Sequence, residues 1–265
     1  MEFKRFRDII IKNREYEKCV SKDLKEFYDR VQWDGDIPKI MREIGQKLDV
    51  LTIEIPMKDD DFGACFFQTE YSKYLLLNSN QPRSKMYFSF CHDIYHILNG
   101  VPDHINEKRE VHFNQDYLSN ENECKANLFA ANLLMPELEF KKMYNLYAND
   151  NDVLEKTIIK LMHYFNSPFI AVLLRVFELK ILNDIKDVAQ LLEYDNKDIE
   201  KLFDELWLDK EILEPTLKDE MPNVLNMLNN EGVKLIEEQL LSEYDFKIIM
   251  ESIERLYSQI KYKNE

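Results

Sequence analysis

At Val50 the spacing of apolar residues changes from the three-to-four of a helix to the two of a strand, and after Pro82 it changes back. Three short strands are read there: Val50-Leu51-Thr52-Ile53-Glu54-Ile55, Gly63-Ala64-Cys65-Phe66-Phe67 and Tyr74-Leu75-Leu76-Leu77-Asn78. Lys58-Asp59-Asp60-Asp61 is a charged loop between the first two, and Asn78-Ser79-Asn80-Gln81-Pro82 is a turn that closes the third. Everything around this patch has helical spacing. The expected class is therefore α+β: a small three-stranded antiparallel sheet among helices, followed by an all-helical C-terminal region.

Upstream, residues 2 to 31 read as one or two amphipathic helices, and Pro38 opens another that runs to about Leu48. With 265 residues, 45% of them hydrophobic, the chain can bury a sizeable core. Its formal charge of -15 disfavours nonspecific attraction to nucleic acid or anionic lipid and favours a basic protein partner. The charged start Met1-Glu2-Phe3-Lys4-Arg5 is unlike a signal peptide, and no apolar run has membrane length, so a cytoplasmic location is expected. Its four cysteines, without CxxC spacing, are read as reduced.

After the turn comes Met86-Tyr87-Phe88-Ser89-Phe90-Cys91-His92-Asp93-Ile94-Tyr95-His96-Ile97-Leu98, closed by Asn99-Gly100. On a helix His92 and His96 project from one face, with Asp93 next to the first. That arrangement holds zinc beside a carboxylate base. The plainer alternative is a helix with two exposed or core histidines. A zinc hydrolase needs three protein ligands and an open position, where bound water has a pKa near ~7. Glu123 suits the third place, because Asn127 shares its helical face and its amide can hold a ligand histidine. His104, His112, Asp116 and Glu121 compete for that role, and His104, His112, Tyr95 and Tyr117 are candidates to stabilise an oxyanion. Cys91 and Cys124 each adjoin a proposed ligand, but neighbouring helical positions point about 100° apart, so buried inert thiols are expected.

Asn120 to Met135 reads as a second ligand helix with an acidic first turn, stopped by Pro136. The polar connection between the two, about 101 to 119, is long enough to gate a substrate. The stretch Glu123-Cys124-Lys125-Ala126-Asn127-Leu128-Phe129-Ala130-Ala131-Asn132-Leu133-Leu134-Met135-Pro136, with the strand-turn-helix from Leu75 to His96, resembles the ImmA/IrrE metallopeptidases. The likeness covers roughly 38 to 182 and extends to Ser167 and Arg175. It implies a zincin-like site with His92, His96 and Glu123 on Zn2+ and the general base at position 93. It also implies cleavage of a helix-turn-helix transcriptional repressor, in a mobile element or a stress response.

The family pattern is HExxH, whereas this chain has Asp93. One methylene fewer withdraws the carboxylate by about 1.5 Å, and a misplacement of about 1 Å costs on the order of a hundredfold in rate. Either the helix sits closer to the metal, or a second water intervenes, or the protein is a weak or inactive peptidase that binds its partner without cutting it. A phosphohydrolase of the HD type is a third reading, which the run from Glu123 to Pro136 opposes.

Residues 150–182 read as a helix-turn-helix-like unit, but Phe169 to Val176 is apolar nearly all round with one basic residue, so DNA contact is not expected. The expected organisation is a metallopeptidase-like unit over 1–149, that unit over 150–182, and an acidic helical region over 183–265. In the last, Tyr194 to Asp219 reads as a solvated face rather than the alternative, a docking site for a basic partner, with Trp207 and Leu208 packed on the core, and Lys247 to Lys261 as a terminal helix for dimerisation or docking.

Overall fold

The computed structural model describes residues 1–59, 62–70, 72–100, 109–112, 118, 120–148 and 153–261. A single helix, α1 (Phe3–Arg30), opens the chain and buries Phe6, Ile10, Val20 and Phe27 along one side. Helix α2 (Ile37–Leu48) is capped by Asp36, whose carboxylate accepts from the Lys39 amide at 2.9 Å, and has proline in its first turn. It ends on Asp49 in the left-handed region and turns directly into the sheet. Gly45 permits that tight return: a Cβ there would lie 2.7 Å from the Val50 carbonyl oxygen.

The sheet differs from the expected one in order and direction. Strands β1 (Val50–Ile55), β2 (Phe62–Gln68), β3 (Lys73–Asn78) and β4 (Arg109–His112) stand in the order β1-β3-β2-β4. Strand β3 pairs antiparallel with β2 and β2 with β4, but β1 runs parallel to β3, with Ile53 opposite Leu76. The sheet is therefore mixed, because the chain after β1 passes over the place that β3 later fills. The fourth strand lies within the connection expected to be irregular.

Crossing the sheet edge leaves backbone groups to be satisfied, and the polar turn after β3 does this. Asn78 Oδ1 accepts from the amides of Met57 and Asn80, while its Nδ2 donates to the carbonyls of Asp59 and Phe62, all at 2.9 to 3.0 Å. Gln81 donates to Phe62 and Asn80 to Met57. Asn78, Ser79 and Gln81 are buried, so this is a buried polar knot rather than a surface turn.

From the knot springs α3 (Arg83–Asn99), buried on nearly every side. It packs on β2 and on α4 (Glu121–Leu134), which α1 covers in turn. Then come α5 (Glu137–Ala148), α6 (Leu154–Phe165) and α7 (Phe169–Glu178), the last two joined through left-handed Asn166 and bent by 106°. Among the described residues no single helix is long and apolar enough to cross a membrane, and α7 buries Phe169, Val172, Leu173, Val176 and Phe177 in the core. Buried Arg175 donates to the Met135 carbonyl at 3.0 Å and to Asn132 Oδ1 at 2.8 Å, and it pairs with Glu178 at 3.2 Å. The end of α4 is thereby tied to α7.

Beyond α8 (Asn196–Glu205) the chain returns to the sheet. The Leu217 amide donates to the Ser79 carbonyl and the Arg83 amide to the Glu214 carbonyl, both at 3.0 Å, and Glu54 and Glu220 exchange bonds at 2.9 Å. Lys218 sits between the Glu54 and Glu220 carboxylates, and Arg83 pairs with Glu211. Helices α9 (Met221–Glu237) and α10 (Glu243–Lys261) then cover the outer face of the sheet, forming a small second cluster with Ile53, Ile55 and Met57.

Candidate metal centre

Helix α3 sets His92 and His96 one turn apart, facing the first turn of α4. That turn is fixed by Asn120, whose side chain accepts from the amides of Asn122 and Glu123. The two histidine Nε2 atoms lie 3.1 Å apart; His92 Nε2 is 3.1 Å from Glu123 Oε2, and His96 Nε2 is 3.3 Å from Glu123 Oε1. The three groups offer one ligand atom each, all within 4.8 Å of one another. Asn127, one turn beyond Glu123, places its Oδ1 3.0 Å from His92 Nδ1. An amide oxygen only accepts, so Nδ1 carries the proton and Nε2 turns a lone pair toward the other two groups.

Lone pairs converging at this distance repel unless a proton or a cation lies among them. The electrostatics say the same. Burial pushes the Glu123 carboxyl up, yet its hydrogen bonds and charge contacts with His92 and His96 outweigh this and hold it well below the usual carboxylate range. Burial pushes His92 down, and the bonds and charges of Glu123, then Asp93 and Asn127, outweigh that and raise it. Two imidazoles and a carboxylate on rigid helices fit a divalent metal with an open position. The histidine side chains are 2% exposed and that of Glu123 22%, so the group opens to solvent on the Glu123 side.

Residues 46–177 match the model of a peptidase family described as the IrrE N-terminal-like domain. Through that stretch, the chain belongs to the IrrE-like family. No curated protein matches the chain. The IrrE-like domain thus takes in the sheet, α3, α4 and the chain as far as Phe177.

Of the residues singled out by sequence in this IrrE-like domain, His92, His96, Glu123 and Asn127 come together as described. Asp93 is fully buried on α3. Glu121 turns away and pairs with Lys125 at 2.5 Å. Tyr95 is a buried wall residue, its ring 5.6 Å from that of His96 and 5.9 Å from that of Phe129. His112 stands on β4 opposite Phe62, while His104, Asp116 and Tyr117 lie outside the described residues. Cys91 and Cys124 are buried, and burial pushes the Cys91 thiol far up, against any thiolate role. Sequence singled out the Asn78 turn and Arg175 without their roles, which are the buried knot that launches α3 and the tie between α4 and α7.

Proposed function

We propose that the chain is a zinc-dependent endopeptidase acting on a helix-turn-helix repressor in the cytoplasm, with His92, His96 and Glu123 as the zinc ligands. The observation that carries this reading is the convergence of three acceptor atoms, backed by Asn127, within a peptidase-family domain. When bound, zinc supplies Lewis acidity toward a carbonyl oxygen and acidifies water. Asp93 takes the proton of the attacking water as its oxygen bonds to the scissile carbonyl carbon. It then delivers that proton to the amine nitrogen as the carbon–nitrogen bond breaks. Glu123 and the histidines hold the site, and Asn127 keeps His92 in the tautomer that presents Nε2. The chain's acidic balance complements a basic DNA-binding partner.

The replacement of Glu by Asp at position 93 favours a second reading, a regulator that holds its repressor without cutting it. Bound zinc and cleavage of the cognate repressor, measured for wild type, His92→Ala, Asp93→Ala and Asp93→Glu, separate the two. Loss of roughly 10²–10⁴ in rate on Asp93→Ala with zinc retained is expected of the enzyme. Stoichiometric zinc with an uncut repressor would leave only the regulator, and failure to bind zinc on titration would remove both.

A further inference from the structure

Trp207 does not pack on the core as its sequence context suggests. It is 95% exposed, more than any other large apolar side chain among the described residues, whereas its neighbour Leu208 lies against the core. Helix α8 ends in a Schellman motif: the Trp207 amide donates to the Asp204 carbonyl at 3.2 Å and the Leu208 amide to the Phe203 carbonyl at 3.0 Å. That motif requires a left-handed residue at its turning point, and Trp207 supplies it with φ 55°. Glycine is the residue suited to this place, and a bulky side chain is strained there. The chain accepts that strain for an indole that lies in water. Lys180 and Gln239 hold the same left-handed place after α7 and α9 with flexible polar side chains, and Leu217 is tied to Ser79, so Trp207 is the one aromatic side chain among the described residues in this conformation.

Carboxylates dominate the surroundings. Asp204, Glu205, Asp209 and Glu211 lie within four positions of Trp207, against the single cation Lys210. Asp204 and Glu211 remain well exposed despite their ion pairs. An aromatic face rimmed by carboxylates attracts a guanidinium or ammonium by both cation–π and charge attraction. The chain's charge of -15 opposes a second copy, nucleic acid and anionic membranes as occupants.

We propose that the end of α8, with Trp207 as anchor, is a docking site for an arginine- or lysine-bearing segment of a partner protein. Exposed tryptophans of this kind carry a large share of binding energy at protein interfaces. The site does not depend on cleavage, so the inference stands apart from the peptidase reading.

The test uses the full chain with Trp33→Phe, which leaves Trp207 as the one indole of the two in the sequence. Its fluorescence is titrated with an alternating arginine–alanine peptide and with the same peptide bearing neutral citrulline. The arginine peptide is expected to bind and perturb the indole, and the citrulline peptide to bind at least ~10-fold more weakly. In a second format, with labelled peptide, Trp207→Gly is expected to lose binding by roughly tenfold or more while melting at or above the parent temperature, since glycine relieves the strain. Unchanged binding by Trp207→Gly would overturn the proposal, as would equal binding of the neutral peptide or no binding of either. Self-association that Trp207→Gly abolishes would also overturn it, in favour of a second copy.

Discussion

The two helix pairs that flank the sheet are built to opposite standards. On the inner face α3 and α4 bury Phe90, Ile94, Ala126, Leu128 and Phe129 completely or nearly so, and their meeting turns carry the three converging ligand atoms. On the outer face α10 has no fully buried residue, and Ile248, Ile249 and Leu256 face solvent. A metal site demands positions fixed to a fraction of an ångström, which close packing from all sides provides. The outer hairpin has only to cover Ile53, Ile55 and Met57, and a thin layer does that.

The sharpest way to break this contrast is at the ligands. His92→Ala or Glu123→Ala is expected to abolish stoichiometric metal binding, read by metal content after dialysis, whereas Ile249→Ala leaves it intact. Core truncation comes next: Phe129→Ala is expected to cost about 3–5 kcal/mol, against less than about 0.5 kcal/mol for Ile249→Ala, in denaturant titrations. Equal costs would mean that the hairpin is as integral as the inner pair. Asn127→Ala, which frees His92 Nδ1, should weaken metal about 10–100-fold in competition with a chromophoric chelator, with little change in melting.

Smaller effects belong to the outer pair. A methyl at Gly232 would fall 2.1 Å from the Phe246 ring, so Gly232→Ala is expected to part α9 from α10 at a cost of about 1–3 kcal/mol. Faster amide exchange across residues 238–243 with metal affinity unchanged would bear this out. The smallest effect is that of acid on the Asp219, Tyr257 and Lys261 cluster. Burial pushes Asp219 up, but its bonds to Lys261, Tyr257 and the Met221 amide outweigh this and hold it below the usual carboxylate range. Its folded value is thus depressed, so its contribution is complete above the ordinary carboxylate pKa and is lost as pH falls through the lower folded value. Exchange in α10 should accelerate at that acid end before exchange in α3 does.

Much of the fold was legible because periodicity reports which residues face a core. Val50–Ile55 was placed to the residue, the two helices that bring His92, His96 and Glu123 together followed from spacing, and the family resemblance set Glu123 apart from its competitors. Strand order was not legible, since alternation gives a strand its faces but not its neighbours, and the parallel β1–β3 pair arises from a crossover. The Asn78 turn is legible as a turn from its polar cluster, and only the tertiary bonds show it buried. Trp207 misled in the opposite sense, because hydrophobicity argues for burial and a helix-terminal left-handed turn can place any side chain outside.

The return of residues 214–220 to Ser79, Arg83 and Glu54 makes this late segment a latch on the beginning of α3, the helix that carries His92 and His96. Opening the start of α3 means first releasing that latch. Metal that stabilises α3 must then slow exchange at the amides of Leu217 and Glu220 by linkage, although neither residue is in the metal group. The far arm of the chain is in this sense a gauge of occupancy, readable without touching the site itself.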